Sequence, residues 1–411
     1  MAEVIPFRGI FYNKDVVTAD EVVAPPYDII TPEMKDALYG KSPYNVVRID
    51  FGKDMRDDDE TSNRYTRAAG YMKEWLKEGV LMRSPNPCFY AYEMDYRAGG
   101  EEKSLLGFFG LVRLEEFGRG IYPHEATYSK PKHDRLSLLS VCKANTSPIF
   151  SLYDSEGKGA SGVLEGVRRR EPHMKAKDSD GAVHSLWVIE DGPSIEAIKA
   201  DLGDKAVFIA DGHHRYETAL DYQRMQKAKK RAKGDEPFNY VLMFLANISD
   251  GGLTVLPAHR LVRINGGDIM ERISKEFKAE KISPDADITG AIAGHKRTFG
   301  LVTREGRYVL RPTGNAGHKD IHRALRRLDV VILDEVLLRR LLGVSHISYE
   351  MDAEKAGREV ANGNYDAAFF LNPTGINDVK EVASSSLRMP PKSTYFYPKL
   401  LTGFVINSLK N

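Results

Sequence analysis

The stretch that most constrains this chain is Phe208-Ile209-Ala210-Asp211-Gly212-His213-His214-Arg215-Tyr216-Glu217-Thr218-Ala219. An apolar run of strand length stops at an Asp-Gly turn, and the residues after the turn continue as helix to about Lys229. A strand feeding a helix through so short a turn commits this part of the chain to α/β order. Its neighbours agree, with strands expected over 185–189, 206–210 and 240–246 and helices over 194–202 and 216–229.

On the N-terminal side, Thr31-Pro32-Glu33 reads as a helix start, with Thr as cap and Pro in the first turn. A longer helix follows the acidic run 57–60, with Tyr65, Ala69, Met72 and Leu76 as its apolar stripe and Gly79 as its stop. Strands over 88–94 and 105–114 flank Arg97-Ala98-Gly99-Gly100, a hairpin turn. Residues 154–162, rich in Gly and Ser, read as a linker. Past residue 263, helices over 268–277 and 328–342, a hairpin at Glu305-Gly306 and a strand over 367–371 complete an α/β or α+β chain. Its expected regions are 1–153, 163–262 and 263–411.

Composition narrows the function classes. At 42% apolar and 28% charged, 411 residues build real cores, which excludes a disordered chain. The 59 Lys and Arg balance 58 Asp and Glu, so no global field recruits nucleic acid or an acidic membrane, and any anion site is local. The basic run 227–233 lacks interleaved aromatics and reads as a solvated helix end. Cys88 and Cys142 form no metal or redox pair, and Met1-Ala2-Glu3-Val4 is not a leader, so a cytoplasmic location is the expectation. The apolar runs 240–248 and 330–333 are too short to cross a bilayer, which needs about 20 residues.

Chemistry concentrates in a few segments. At the Asp211 turn, a helix start offers unpaired N–H groups and positive dipole, Gly212 allows close approach, and His213, His214 and Arg215 add donors or charge, so phosphate is the expected ligand. Asp211 caps the helix or holds a metal or a histidine. A second cluster runs from Tyr122 to Arg135, where His124 and Glu125 form an acid/base pair and Lys132 and Arg135 can neutralise phosphoryl charge. Pro25-Pro26-Tyr27-Asp28 presents Asp28 on rigid backbone, as turn cap or functional carboxylate. Pro257-Ala258-His259-Arg260 adds an imidazole and a guanidinium to an anion site or caps structure, and Met389-Pro390-Pro391-Lys392-Ser393-Thr394-Tyr395-Phe396-Tyr397-Pro398-Lys399 puts lysines and hydroxyls on a proline-fixed loop, a phosphate or carboxylate clamp or a folded C-terminal cover, with Lys392 and Ser393 joining His259 and Arg260 as substrate-binding candidates. Adjacent His213 and His214 do not converge on one ion as an i, i+4 pair does, so no protein-held metal is expected. Magnesium carried on nucleotide phosphates suits the inventory better. No G-x-x-x-x-G-K-[ST] run occurs.

At these residues the chain resembles the domain-of-unknown-function 1015 family, through Ala24-Pro25-Pro26-Tyr27-Asp28, Pro123-His124-Glu125, the segment 209–219, Pro257-Ala258-His259-Arg260 and Met389–Thr394 taken in order. The strand, Asp211-Gly212-His213-His214-Arg215 and helix are similar, over about 206–222, to the phosphate loop of the ParB and sulfiredoxin-like superfamily, which includes free serine kinases. His213 stands where sulfiredoxins need cysteine, and no basic recognition helix of ParB type is visible. The resemblance therefore implies a kinase of a small hydroxyl metabolite such as free serine. ATP or ADP with Mg2+ would be held at Asp211–Arg215, and Glu125, with His124, or Asp28 would serve as base. A nucleotide-binding switch without catalysis and a metal-assisted phosphoester hydrolase are the alternatives.

Overall fold

A computed structural model of the protein describes residues 2–127, 129–229, 234–264, 266–314 and 321–410. It consists of two compact units. The first comprises Met1–Pro123, Thr127–Thr254 and Pro398–Asn411, the second His124–Ala126 and Val255–Tyr397. Among the described residues no helix is long and apolar enough to cross a membrane. Residues 230–233 of the basic run and Tyr128 of the second cluster lie outside the described residues.

The first unit is built on a nine-stranded mixed sheet. Its strands are β1 (Val4–Ile5), β2 (Phe89–Ala98), β3 (Glu101–Arg113), β4 (Ile121–Tyr122), β5 (Ile149–Tyr153), β6 (Met174–Lys177), β7 (Val183–Ile189), β8 (Val207–Asp211) and β9 (Tyr240–Asn247). They lie in the order β4-β8-β5-β9-β3-β2-β7-β6, and β1 pairs with β3. The β4–β8 and β5–β9 pairs are parallel, the others antiparallel. β2 and β3 join through Gly99-Gly100, both at positive φ (60° and 83°), the conformation that a two-residue hairpin turn demands and glycine supplies. Strand β9 is buried from Tyr240 through Ala246, which explains why its sequence is continuously apolar rather than alternating: both sheet faces are covered. On one face Ile149, Val207, Ile209, Met243 and Leu245 pack with Tyr216 and Leu220 of a helix, and on the other Tyr92, Phe109, Phe150 and Phe244 form an aromatic cluster.

The helices that frame the site follow their caps. In α1 (Pro32–Lys41) Thr31 accepts from the Met34 amide, as its sequence promised. α2 (Arg64–Lys77) starts later than the acidic run and is capped by Asn63, with Thr66 completing the capping box. Its buried face is Ala68, Met72 and Trp75 rather than the expected Tyr65, Ala69, Met72 and Leu76. The Trp75 indole sets that orientation, because it packs on Tyr12, Tyr44 and Tyr71. α3 (Ser129–Cys142), α4 (Gly159–Val167), α5 (Gly192–Leu202) and α6 (His213–Lys229) follow along the chain. The expected linker 154–162 lies inside it: Ser155 donates to Asp201 at 2.7 Å and the Ala160 amide to the same carboxylate at 2.9 Å. Segments on both sides of that linker therefore contribute strands to one sheet.

The second unit holds an antiparallel six-stranded sheet of β10 (His259–Val262), β11 (Phe277–Ile282), β12 (Phe299–Thr303), β13 (Gly306–Pro312), β14 (Ile347–Glu350) and β15 (Ala367–Phe370). Their order is β11-β13-β12-β15-β10-β14. Asp268 caps the short helix Ile269–Ser274, and Phe277, expected on that helix, instead opens β11. The helix expected over 328–342 divides into Asp329–Val331 and a more widely wound Ile332–Leu341, which closes with an i to i−5 bond from the Leu342 amide to Leu337.

Candidate functional site

The first unit gathers most of the flagged residues around the start of α6. Strand β8 pairs with β5 through a register shift between Ile209 and Asp211, a bulge that re-aims the strand end. Gly212 then takes φ +94°, and the Tyr216 amide closes the first turn on the Gly212 carbonyl at 3.1 Å. Only glycine suits this place: a Cβ there would lie 2.9 Å from Nε of Arg215 and 3.0 Å from its Cζ. His213 is buried and His214 half-buried. The helix is anchored further along by Tyr216, whose hydroxyl donates to the Glu115 carbonyl at 2.7 Å and accepts from the Glu115 amide at 3.0 Å.

Charge is arranged in layers beneath and beside this turn. The Arg215 guanidinium donates to the Pro148 carbonyl and lies 3.5 Å from Asp211, and its Nε is buried with no hydrogen-bond partner among the described residues. On Asp211 a second cation arrives, the ammonium of Lys399 at 3.4 Å; the Arg215 and Lys399 side chains are each only 10% exposed. Arg135 of α3 is buried against Asp134 (2.6 Å) and Asp50 (3.4 Å), and its guanidinium lies 4.1 Å from the centre of the Tyr27 ring. Burial would lift the Asp134 carboxyl, but Arg135 and Arg64 hold it below its ordinary value. Asp50 also accepts from Thr146 at 2.6 Å. Burial drives the Tyr27 phenol far above its usual range, and Arg135, Asp28, Arg215 and Asp211 all act on it electrostatically, which places the Pro25–Asp28 segment at the same turn. Asp28 itself is exposed. Lys132 pairs with Glu217 of α6 at 2.9 Å, and Thr127 donates to the same carboxylate at 2.6 Å.

A cavity of about 40 Å³ is lined by Arg135, Asn145, Thr146, Ser147, Arg215 and Thr218 among others. That is room for a water or two between buried guanidiniums, not for a phosphate ester. The Asn145-Thr146-Ser147-Pro148 segment, with Asp50, Tyr27 and Glu217, carries roles that the sequence did not suggest. The signal available was the run of small polar residues before a proline-led strand.

The second unit holds the other flagged residues. The Glu125 carboxylate accepts from the Thr394 amide (3.1 Å), the Thr394 hydroxyl (3.0 Å) and the Lys392 amide (3.2 Å). Buried His124 places Nε2 2.8 Å from the same hydroxyl and 3.7 Å from Glu125. Ser393 donates to the Pro390 carbonyl at 2.6 Å. This pair therefore binds the 390–394 turn, the loop whose lysine and serine were expected to meet substrate. Arg260 requires a correction. It is wholly buried and bidentate to Asp334 (2.8 and 3.1 Å), with a third bond to the Ala258 carbonyl, so its guanidinium serves the core and not a substrate. His259 is buried beside it against Phe370, its Nδ1 without a hydrogen-bond partner among the described residues, and burial together with Arg260 depresses its pKa to about 4. Among the described residues no three His, Cys, Asp or Glu side chains gather as a metal site.

The chain belongs to the family described as a protein of unknown function (DUF1015), whose model matches residues 4–331. No curated protein matches it. Among solved structures it is similar to a free serine kinase in complex with AMP (14% identity, 73% of this chain and 91% of that chain, TM-score 0.40). It is also similar to a conserved hypothetical protein from Pyrococcus furiosus (15%, 74% and 96%, TM-score 0.38). A third is SbnI with C-terminal truncation from Staphylococcus aureus (10%, 74% and 89%, TM-score 0.38).

Proposed function

We propose that the Asp211–Arg215 turn is a phosphate-binding loop and that the protein is a nucleotide-dependent phosphotransferase acting on a small hydroxyl metabolite, with free serine the first acceptor to test. The observation that carries this is the turn itself. A glycine at positive φ launches a 17-residue helix directly above a nine-tenths buried guanidinium whose Nε has no hydrogen-bond partner among the described residues, and a second cation shares Asp211. The first-turn amides of such a helix lack intrahelical acceptors and carry positive dipole, so an anion is the natural ligand.

In this reading a bound ATP or ADP supplies the phosphoryl group, and Asp211 would be one of the few carboxylates that an accompanying Mg2+ needs. The helix start, His213 and His214 hold the phosphates, Arg215 positions the turn, and Lys132 and Arg135 contribute positive charge. Asp28 accepts the acceptor's hydroxyl proton as its oxygen bonds to phosphorus and the bond to the departing nucleotide breaks. Asp28 suits that part better than Glu125, because Asp28 is exposed and shares the surroundings of Tyr27 with Asp211 and Arg215, whereas three donors of the 392–394 loop already engage Glu125.

The test is to incubate purified protein with ATP or ADP, Mg2+ and a panel of hydroxyl amino acids led by serine, following phosphorus by NMR. The expected result is nucleotide consumption only with an acceptor, reduced about 100-fold or more by Asp28→Asn. Cleavage of a phosphoester without nucleotide would make the protein a hydrolase. Tight nucleotide binding without turnover for any acceptor would make it a switch.

A further inference from the structure

Residues 398–411 return to the first unit and connect each part of the site described above. Thr402 exchanges backbone bonds with Ala24 (2.8 and 3.1 Å), the residue directly before Pro25-Pro26-Tyr27-Asp28. Asn407 donates to Asn145 at 2.9 Å and the Leu409 amide to the Lys143 carbonyl at 2.8 Å, fixing the segment that leads to Pro148. Beside these contacts the chain is pinned by a buried relay. The Leu401 amide donates to the Tyr92 hydroxyl (3.4 Å), that hydroxyl lies 2.7 Å from Nδ1 of His184, and Nε2 of His184 lies 3.2 Å from Asp178. Phe404 packs edge-on against Tyr92 with centroids 5.0 Å apart. Gly403, at φ +109°, lets the backbone press on Val23 and Val46, where a Cβ would sit 3.4 and 3.2 Å away.

The first side chain delivered by this anchored tail is Lys399, whose ammonium stands 3.4 Å from Asp211. We infer that Lys399 is a ligand-contacting cation of the site, carried to the start of α6 by the tail and passed from Asp211 to an incoming phosphate; this rests on the phosphate-site reading above. Two observations separate it from the other cations. Arg215 is tied to the buried Pro148 carbonyl under the turn, and Arg135 is buried in a network with Asp134, Asp50 and the Tyr27 ring, so both guanidiniums serve contacts within the fold. A lysine also reaches on a flexible stem with three rotatable donors, suited to changing acceptors in place. Asp211, between Arg215 and Lys399, then orients the ammonium while the site is empty of phosphate.

Calorimetric titration of the full chain tests this with four probes: ADP and ATP with Mg2+, inorganic phosphate, and adenosine. Lys399→Met should weaken ADP and phosphate about tenfold or more while leaving adenosine unchanged, and Lys399→Arg should stay within about threefold of wild type. Thermal unfolding followed by tryptophan fluorescence checks that both variants are folded, and Lys399→Gln replaces Lys399→Met if that one is not. Binding of ADP by folded Lys399→Met within about twofold of wild type would overturn the inference and leave the phosphate loop standing. Failure of wild type to bind any phosphate-bearing probe would overturn the loop itself, and Lys399's part in it.

Discussion

Replacing Gly212 by alanine tests the geometry on which the site is built. The added methyl would sit at φ +94° and 2.9–3.0 Å from Nε, Cζ and Nη2 of Arg215. An alanine at positive φ costs about 1–2 kcal/mol. Ordinary carbon contacts need about 3.5–4.0 Å, so the guanidinium must move by several tenths of an ångström and loosen its bond to the Pro148 carbonyl. Losing a hydrogen bond from a charged group at this burial costs about 1.5–3 kcal/mol, and a total loss of about 3–4 kcal/mol is expected. The protein's two tryptophans, Trp75 and Trp187, both lie in the first unit, so their fluorescence in a urea titration reports that unit alone. With a slope of about 3 kcal/mol per molar urea, the midpoint should fall by about 1 M. Gly40→Ala is the control. That glycine lies in α1 with nothing within 4 Å of an added Cβ, and helix propensity predicts a gain of up to about 1 kcal/mol. Equal midpoints for Gly212→Ala and wild type would refute the packing of Arg215 against the turn.

Four further outcomes follow from the same contacts. Arg215→Lys removes the fork that spans Pro148 and Asp211, so the tryptophan-monitored midpoint should drop by the equivalent of about 1.5–3 kcal/mol; a tenfold loss of ADP affinity at an unchanged midpoint would instead place the guanidinium on the ligand. Arg260→Met strands the buried Asp334 carboxylate and should destabilise the second unit by about 3–5 kcal/mol, read by amide exchange in β10 and β15; unchanged exchange would contradict the pair. His259, held down to about 4 by burial and Arg260, binds its proton more readily in the unfolded chain. Its contribution is therefore intact above about pH 6.5 and lost as pH falls toward 4, a matter of a few kcal/mol that His259→Gln should remove from the acid-unfolding profile of the second unit. Glu125→Ala deletes the acceptor of the Lys392 and Thr394 amides, and their exchange should accelerate by about tenfold or more; protection equal to wild type would mean the loop does not depend on that carboxylate.

Local signals in this sequence were read correctly where a backbone requirement writes itself into residue type. Gly99-Gly100 can only be a tight turn, Thr31-Pro32 can only start a helix well, and an apolar run broken by Asp211-Gly212 gives the strand end and helix start observed in β8 and α6. What was not legible is which distant group completes a buried charge. Arg260 looked like an anion receptor because its partner, Asp334, lies 74 residues away. One hint was present: an aspartate inside the apolar run Val330–Leu338 has to be paired once it is buried, and a buried partner must be a cation. The stripe of α2 was misread for a related reason, since the size of Trp75 and the aromatics waiting for it, not helical period alone, choose the buried face.

The Asp211 turn shows the same division between residue and role. The sequence singles out His213, His214 and Arg215 as one cationic cluster, yet the fold separates them by depth: His213 is buried, His214 half-buried, and Arg215 points under the turn to Pro148. A guanidinium used in that way contributes field and rigidity. Its planar fork holds strand β8 and the Pro148 segment at a fixed spacing. In the proposed phosphate site the direct contacts then fall to the first-turn amides of α6, His213, His214 and the lysine that the tail brings to Asp211. Local pattern could put that lysine on a clamp-like loop but could not name its partner, because 188 residues separate it from the carboxylate it meets and long-range contacts such as Thr402 with Ala24 bring its segment beside Pro25–Asp28. The tail thereby ties the Pro-Pro-Tyr-Asp corner, the Asn145–Pro148 segment and the helix start into one structure, so a change at any of the three should be felt at the other two.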